Sequence, residues 1–145
     1  MRVHTSVWSL ELAPGWRLED HCDYAVILND DPDTVLRLTT LEVANGLTAA
    51  GWVERVASVQ RAKGRTVAEA RCGDFRGIRC EFAVMDRIAP PRREDRWVRV
   101  WTLVCDGTPL DITYSSPLWC AGRDDRDVRT MVESLQAGPR IRRGF

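Results

Sequence analysis

Apolar and polar side chains alternate at the start of the chain: Trp8, Leu10 and Leu12 share one side, Ser9 and Glu11 the other. A period of two is the mark of a half-buried strand. Pro14-Gly15 ends it, and Trp16 is expected to fold back over the core. Residues 24–28 and 35–41 predict two more strands across the turn Asn29-Asp30-Asp31-Pro32-Asp33. The period then lengthens to that of a helix over 48–62. Trp52, Val56 and Val59 form its apolar stripe with Val53 and Ala57 beside them; Thr48 is the cap and Gly64 the stop.

Four strands are predicted next. Residues 67–72 and 78–88 pair across Asp74-Phe75-Arg76-Gly77, a turn whose flanking Cys72 and Cys80 are candidate neighbours across the hairpin. Ala89-Pro90-Pro91-Arg92-Arg93-Glu94-Asp95 reads as a polar loop, because proline cannot donate to a sheet ladder. Residues 96–105 and 110–115 form a second hairpin around Asp106-Gly107-Thr108-Pro109. A final helix over 123–136 places Val128, Met131, Val132 and Leu135 at i, i+3, i+4 and i+7, with Asp124, Asp125 and Asp127 at the positive end of its dipole. Gly138-Pro139 stops it and leaves 140–145 as a short basic tail. With no repeat or linker, 1–139 is one domain. The order β-β-β-α-β-β-β-β-α with hairpin-length connections predicts an α+β fold with a mainly antiparallel sheet and helices packed on it.

Several of these segments together resemble the Mog1/PsbP-like family, with its DcrB and DUF1795 bacterial relatives. They are the first strand running into Pro14-Gly15-Trp16, Leu36-Arg37-Leu38-Thr39-Thr40 ahead of a helix, and the paired long strands. The ending, Leu110-Asp111-Ile112-Thr113-Tyr114-Ser115-Ser116 before a helix that closes on Met131-Val132-Glu133-Ser134-Leu135, is the best match. The resemblance implies an α/β/α sandwich around the antiparallel sheet and action mostly through protein contacts. It implies no catalytic signature, and a match of fold alone licenses only analogy about function.

Composition narrows the function classes. The 145 residues carry 21 basic and 21 acidic side chains, a formal net charge of zero. Nucleic acid is therefore not the expected partner, since phosphate binding needs a basic excess on one face. No apolar run follows the charged N-terminus and none is long enough to span a bilayer, so no membrane role and a cytoplasmic location are expected. The five cysteines, Cys22, Cys72, Cys80, Cys105 and Cys120, include no C-x-x-C pair and read as reduced, buried small hydrophobes.

Candidate chemistry is sparse. Of the two histidines, His4 lies in a terminus expected to fray, and His21 lies in Glu19-Asp20-His21-Cys22-Asp23, read as a solvated acidic loop, where neighbouring side chains point to opposite sides and ligate a metal poorly. Ser115-Ser116 lacks the G-x-S-x-G elbow and is expected to end a strand. No catalytic, metal or cofactor set is expected. The sheet is more informative. Trp97, Arg99, Trp101 and Leu103 alternate with Val98, Val100, Thr102 and Val104, and similar splits in other strands suggest a polar face. That face collects Arg37, Glu69, Arg71, Arg79, Glu81, Arg99 and Asp111 around two tryptophans, and the candidate binding residues on it are Trp97, Arg99, Trp101, Arg79, Glu81 and Arg37. Tryptophan and arginine dominate interface hot spots, although cross-strand ion pairs on a covered face give the same pattern. The expected function is a non-enzymatic accessory or adaptor protein acting on a protein partner. The alternative is a small-molecule domain whose Trp97, Arg99 and Trp101 line a pocket for an anionic or aromatic ligand. Self-association into a homodimer through a sheet edge is a further expectation.

Overall fold

The computed structural model describes residues 1–31, 33–89 and 92–142, with side chains omitted for 86–89, 92–94 and 142. Pro32, Pro90, Pro91 and residues 143–145, which fall in the expected turn, loop and tail, lie outside the described residues.

Two antiparallel meanders make the main sheet. The first is β3 (Arg17–His21), β4 (Tyr24–Leu28) and β5 (Val35–Thr40); the second is β6 (Val67–Cys72), β7 (Phe75–Ala89), β8 (Arg92–Cys105) and β9 (Thr108–Pro117). Helix α1 (Ala49–Ala62) crosses between them, and β9 lands beside β5. The result is a seven-stranded sheet in the order β3-β4-β5-β9-β8-β7-β6. Its inner face carries Ala25, Ile27, Leu36, Leu38, Trp101, Leu103, Leu110, Ile112 and Tyr114. Helix α2 (Asp125–Glu133) covers this face together with a second sheet of β1 (Arg2–His4), β2 (Trp8–Glu11) and β10 (Gln136–Ala137). Trp8, Leu10, Val128, Met131, Val132 and Leu135 enter the main core from this layer. Trp16 folds over that core as expected, its indole N–H donating to Asp127 at 3.0 Å.

On the outer face α1 seats Val53 and Ala57 against Ile78, with Trp52, Val56, Val67 and Val104 around them. The helices thus sandwich the sheet, as the expected architecture has it, with the small sheet added to one layer. The α1 stripe is rotated from the expected one: Val59 is 48% exposed. Thr48 does cap the helix, accepting from the Gly51 N–H at 3.0 Å. Thr48→Ala is expected to cost about 1 kcal/mol in urea unfolding, the usual worth of such a cap.

Other expectations are corrected. Arg17–His21 is a strand although almost wholly polar, because it is a sheet edge with little to bury. His4 is tied into β1, whose partner is β2. Arg92–Asp95 belongs to β8 rather than to a loop, since the β7–β8 hairpin arms run on past the core. The first tight turn is Gly73-Asp74, because Cys72 pairs with Phe75. Gly73 has φ of +59°, and a Cβ there would sit 1.7 Å from the Leu135 carbonyl oxygen. That closeness lets the Asp74 N–H reach Leu135 at 3.1 Å and the Asp74 carboxylate accept from Ala137 at 2.8 Å, seating the C-terminal segment. Cys80 pairs with Val67, five rungs from Cys72 and on the other face. At about 3.4 Å per residue that separation exceeds disulfide reach. Cys22 is exposed rather than buried. The segment expected as a tail from 140 begins instead as a short helix, α3 (Pro139–Arg142), whose Ile141 is 3% exposed within the main core. Among the described residues no helix is long and apolar enough to cross a membrane.

Candidate functional site

Register decides which strand faces coincide. Gly77, Arg79, Glu81 and Ala83 on β7 stand opposite Leu103, Trp101, Arg99 and Trp97 on β8, and these stand opposite Leu110, Ile112, Tyr114 and Ser116 on β9. The tryptophan–arginine row therefore points inward, under α2. Arg99 is only 5% exposed and Trp101 4%, while Trp97 is half-buried farther along β8. Arg37, opposite Val26 and Thr113, lies on the outer face with Glu69, Arg71 and Asp111. Its guanidinium stacks 4.0 Å from the centre of the Tyr24 ring, which stacks on His21 at 4.8 Å. The single polar face expected from alternation is thus two half-faces on opposite sides of the sheet. Alternation gives each strand two sides but carries no information on which sides meet.

Of the six candidate residues, Arg79, Glu81, Arg99 and Trp101 are brought together. The Arg99 Nε lies 2.8 Å from Glu81 Oε1 and its Nη2 lies 3.1 Å from Asp125 Oδ1, at the start of α2. The Nε approach is not aligned for a directed hydrogen bond, so it acts as a charge pair. Arg79 reaches the same Glu81 oxygen at 3.7 Å, and Arg99 lies 5.7 Å from the Trp101 ring centre. These charges clamp α2 onto β7 and β8. Beside them opens a cleft of about 180 Å³ lined by Arg79, Arg99, Trp101, Arg71, Arg129 and Cys72, with Glu69 and Glu133 also on its wall. Burial pushes the Cys72 thiol up to about 11, with Glu133 adding to the shift. It stays a neutral thiol rather than a nucleophilic thiolate. Asp125 and Arg129 were not among the candidate residues. Their helical register was legible, but their neighbours on β8 and β6 depend on how α2 docks.

A larger concavity of about 900 Å³ lies at the end of the sandwich where β3 meets β4 and β8 turns into β9. Its walls come from the β3–β4 turn, the connection from β5 into α1, the segment before β2 and Arg140. Asp20, Asp23 and Glu42 line it against Arg140 and His21, with Thr40, Thr48 and Thr108 supplying hydroxyls. No local pattern in the chain signals this groove, because its walls come from five separated segments. Among the described residues no group of three or more His, Cys, Asp or Glu side chains is placed to hold a metal ion.

Two further features stand outside both concavities. Asp111, on the outer face two residues from the groove-lining Pro109, is pushed up to about 6 by burial, with the Thr102 hydroxyl at 3.5 Å pulling it back only in part. Trp119 is 72% exposed on the 3-10 turn Leu118–Cys120, with the Arg123 guanidinium 5.1 Å from its ring centre.

No protein-family model matches the chain, and no curated protein matches it by sequence. Solved structures do. A crystal structure from Bacteroides thetaiotaomicron VPI-5482 superposes with a TM-score of 0.65 at 11% identity, over 90% of this chain and 44% of that one. The chain thus spans less than half the length of that protein. LpqN of Mycobacterium tuberculosis, involved in cell envelope biogenesis, gives 0.59 at 14% identity over 96% and 90% of the two chains. The solution structure of CyanoP, the cyanobacterial PsbP of Synechocystis sp. PCC 6803, gives 0.54 at 15% identity over 94% and 91%. At such identities the likeness is one of fold, and the fold is the PsbP-like α+β arrangement of an antiparallel sheet with few helices.

Proposed function

We propose that this chain is a non-enzymatic accessory or adaptor protein, and that its end groove receives an extended, cationic segment of a protein partner. The observation that carries this reading is the groove of about 900 Å³ with three carboxylates, Asp20, Asp23 and Glu42, on its walls. It lies at the end of β3, an edge strand with β4 on one side and, among the described residues, no strand on the other. A free edge offers backbone groups to an incoming strand, and nearby side chains then select its sequence. Glu19 and Asp20 on β3 favour a basic segment and repel an acidic one, which also guards the edge against indiscriminate pairing. The resemblance to a family acting mostly through protein contacts supports the same reading, and the PsbP-like fold shared with LpqN and CyanoP is compatible with it.

Extended decapeptides rich in Lys and Arg, with Glu-rich counterparts as controls, test it by calorimetric titration. The basic peptides are expected to bind saturably and more weakly as salt is raised. The variant Asp20→Asn/Asp23→Asn/Glu42→Gln is expected to lose about tenfold in affinity, the sum of three modest exposed charge contacts. Equal binding of basic and acidic peptides, or an unchanged triple variant, sinks the reading.

A further inference from the structure

We infer that the cleft beside Arg99 is a binding site for a small oxyanion, the terminal phosphate or carboxylate group of a ligand. The inference is independent of the end groove. Three guanidinium-bearing residues of the inner side, Arg79, Arg99 and Arg129, line the cleft with Glu133, while Glu69 and Arg71 border it on β6 but belong to the outer face. Their charges are not equally committed. Arg99 is held by Glu81 and Asp125. Arg79 has only a long 3.7 Å approach to Glu81, whose same oxygen Arg99 already holds at 2.8 Å. Arg129 makes no ion pair among the described residues. Guanidiniums and carboxylates balance in number on this face, Arg79, Arg99 and Arg129 against Glu81, Asp125 and Glu133, but two carboxylates close on Arg99, which leaves Arg79 and Arg129 without a close counter-charge.

The shape suits a small ligand. A volume of about 180 Å³ is below the roughly 300–1,000 Å³ of sites for drug-sized molecules. A guanidinium presents a planar fork of donors that matches phosphate and carboxylate oxygens. Trp101 and Val132, both buried, form an apolar wall that keeps the local dielectric low and strengthens each contact. Arg99 is the fixed positive floor, and Arg79 and Arg129, both more accessible than Arg99, are the arms that close on the anion.

Inorganic phosphate and succinate are the probes, titrated separately into the whole chain and followed by NMR at the arginine Nε–H and tryptophan indole signals. Saturable shifts at Arg79, Arg129 and Trp101 are expected. Arg79→Gln/Arg129→Gln is expected to weaken binding about tenfold for each guanidinium removed, the effect of one charge-assisted hydrogen bond. Arg126→Gln, on the same helix but outside the cleft, is expected to bind as the parent chain does. A response to phosphate alone identifies a phosphoryl group, and to succinate alone a carboxylate; either supports the site. Should the double variant melt early, localised shifts in the parent chain decide the matter. No saturable shift with either anion overturns the inference, as does a folded double variant that binds undiminished.

Discussion

Arg99→Ala is expected to lower the unfolding free energy by about 3 kcal/mol, read by urea denaturation at neutral pH. The side chain is 6% exposed and lies 2.8 Å from Glu81 and 3.1 Å from Asp125. Truncation removes the cation between two carboxylates and leaves a void beneath α2. Breaking a buried charge pair typically costs about 3–5 kcal/mol. The low end applies because Glu81 and Asp125 are 31% and 38% exposed and regain water once the cation is gone. Arg99→Met restores much of the packing but not the charge, so it should recover part of the loss. A double-mutant cycle with Asp125→Ala then separates the helix-clamping contact from the rest. An Arg99→Ala chain within about 0.5 kcal/mol of the parent, the range of an ordinary surface change, would show that the clamp contributes nothing.

The same arginine marks where sequence reading stops. Tyr24–Leu28 and Val67–Cys72 are strands within the expected bounds, and Thr48 caps the expected helix. Val128, Met131, Val132 and Leu135 all enter the core, because helical spacing and burial agree over a long segment. Strand β3 escaped because Arg-Leu-Glu-Asp-His at a sheet edge has almost no apolar side to reveal it. The site escaped for a different reason. Grouping residues by polarity put Arg37 beside Arg99, whereas pairing through β9 puts them on opposite faces. Arg99 faces inward like Leu103 and can do so only because Glu81 and Asp125 meet it, and the second of these comes from a helix far along the chain. Local pattern locates elements; the partners of a buried charge depend on packing.

Asp111→Asn is expected to stabilise the chain at pH 7–8 and leave it little changed near pH 4. The Asp111 carboxyl, ordinarily at 3.8, is pushed up to about 6, chiefly by burial. Below 3.8 the group is protonated whether the chain is folded or not and contributes nothing to the difference. Between 3.8 and about 6 the folded chain keeps a proton that the unfolded chain has released. Raising the pH through that window therefore favours unfolding, and above it the full cost is present. Each tenfold shift is worth about 1.4 kcal/mol, which sets an upper figure of about 3 kcal/mol. The groups facing Asp111 do not offset it: Thr39 and Thr102 stand opposite on the flanking strands, and Arg37 is turned onto Tyr24. Asparagine keeps the acceptor for the Thr102 hydroxyl and removes the charge. Glu11 pulls the other way, since the N-terminal ammonium lowers its carboxyl and stability there is lost on acidification. The informative quantity is thus the difference between the parent and Asp111→Asn stability curves, in which Glu11 cancels. That difference should open between pH 4 and 6 and level off above; two parallel curves would mean that the buried carboxylate costs the fold nothing.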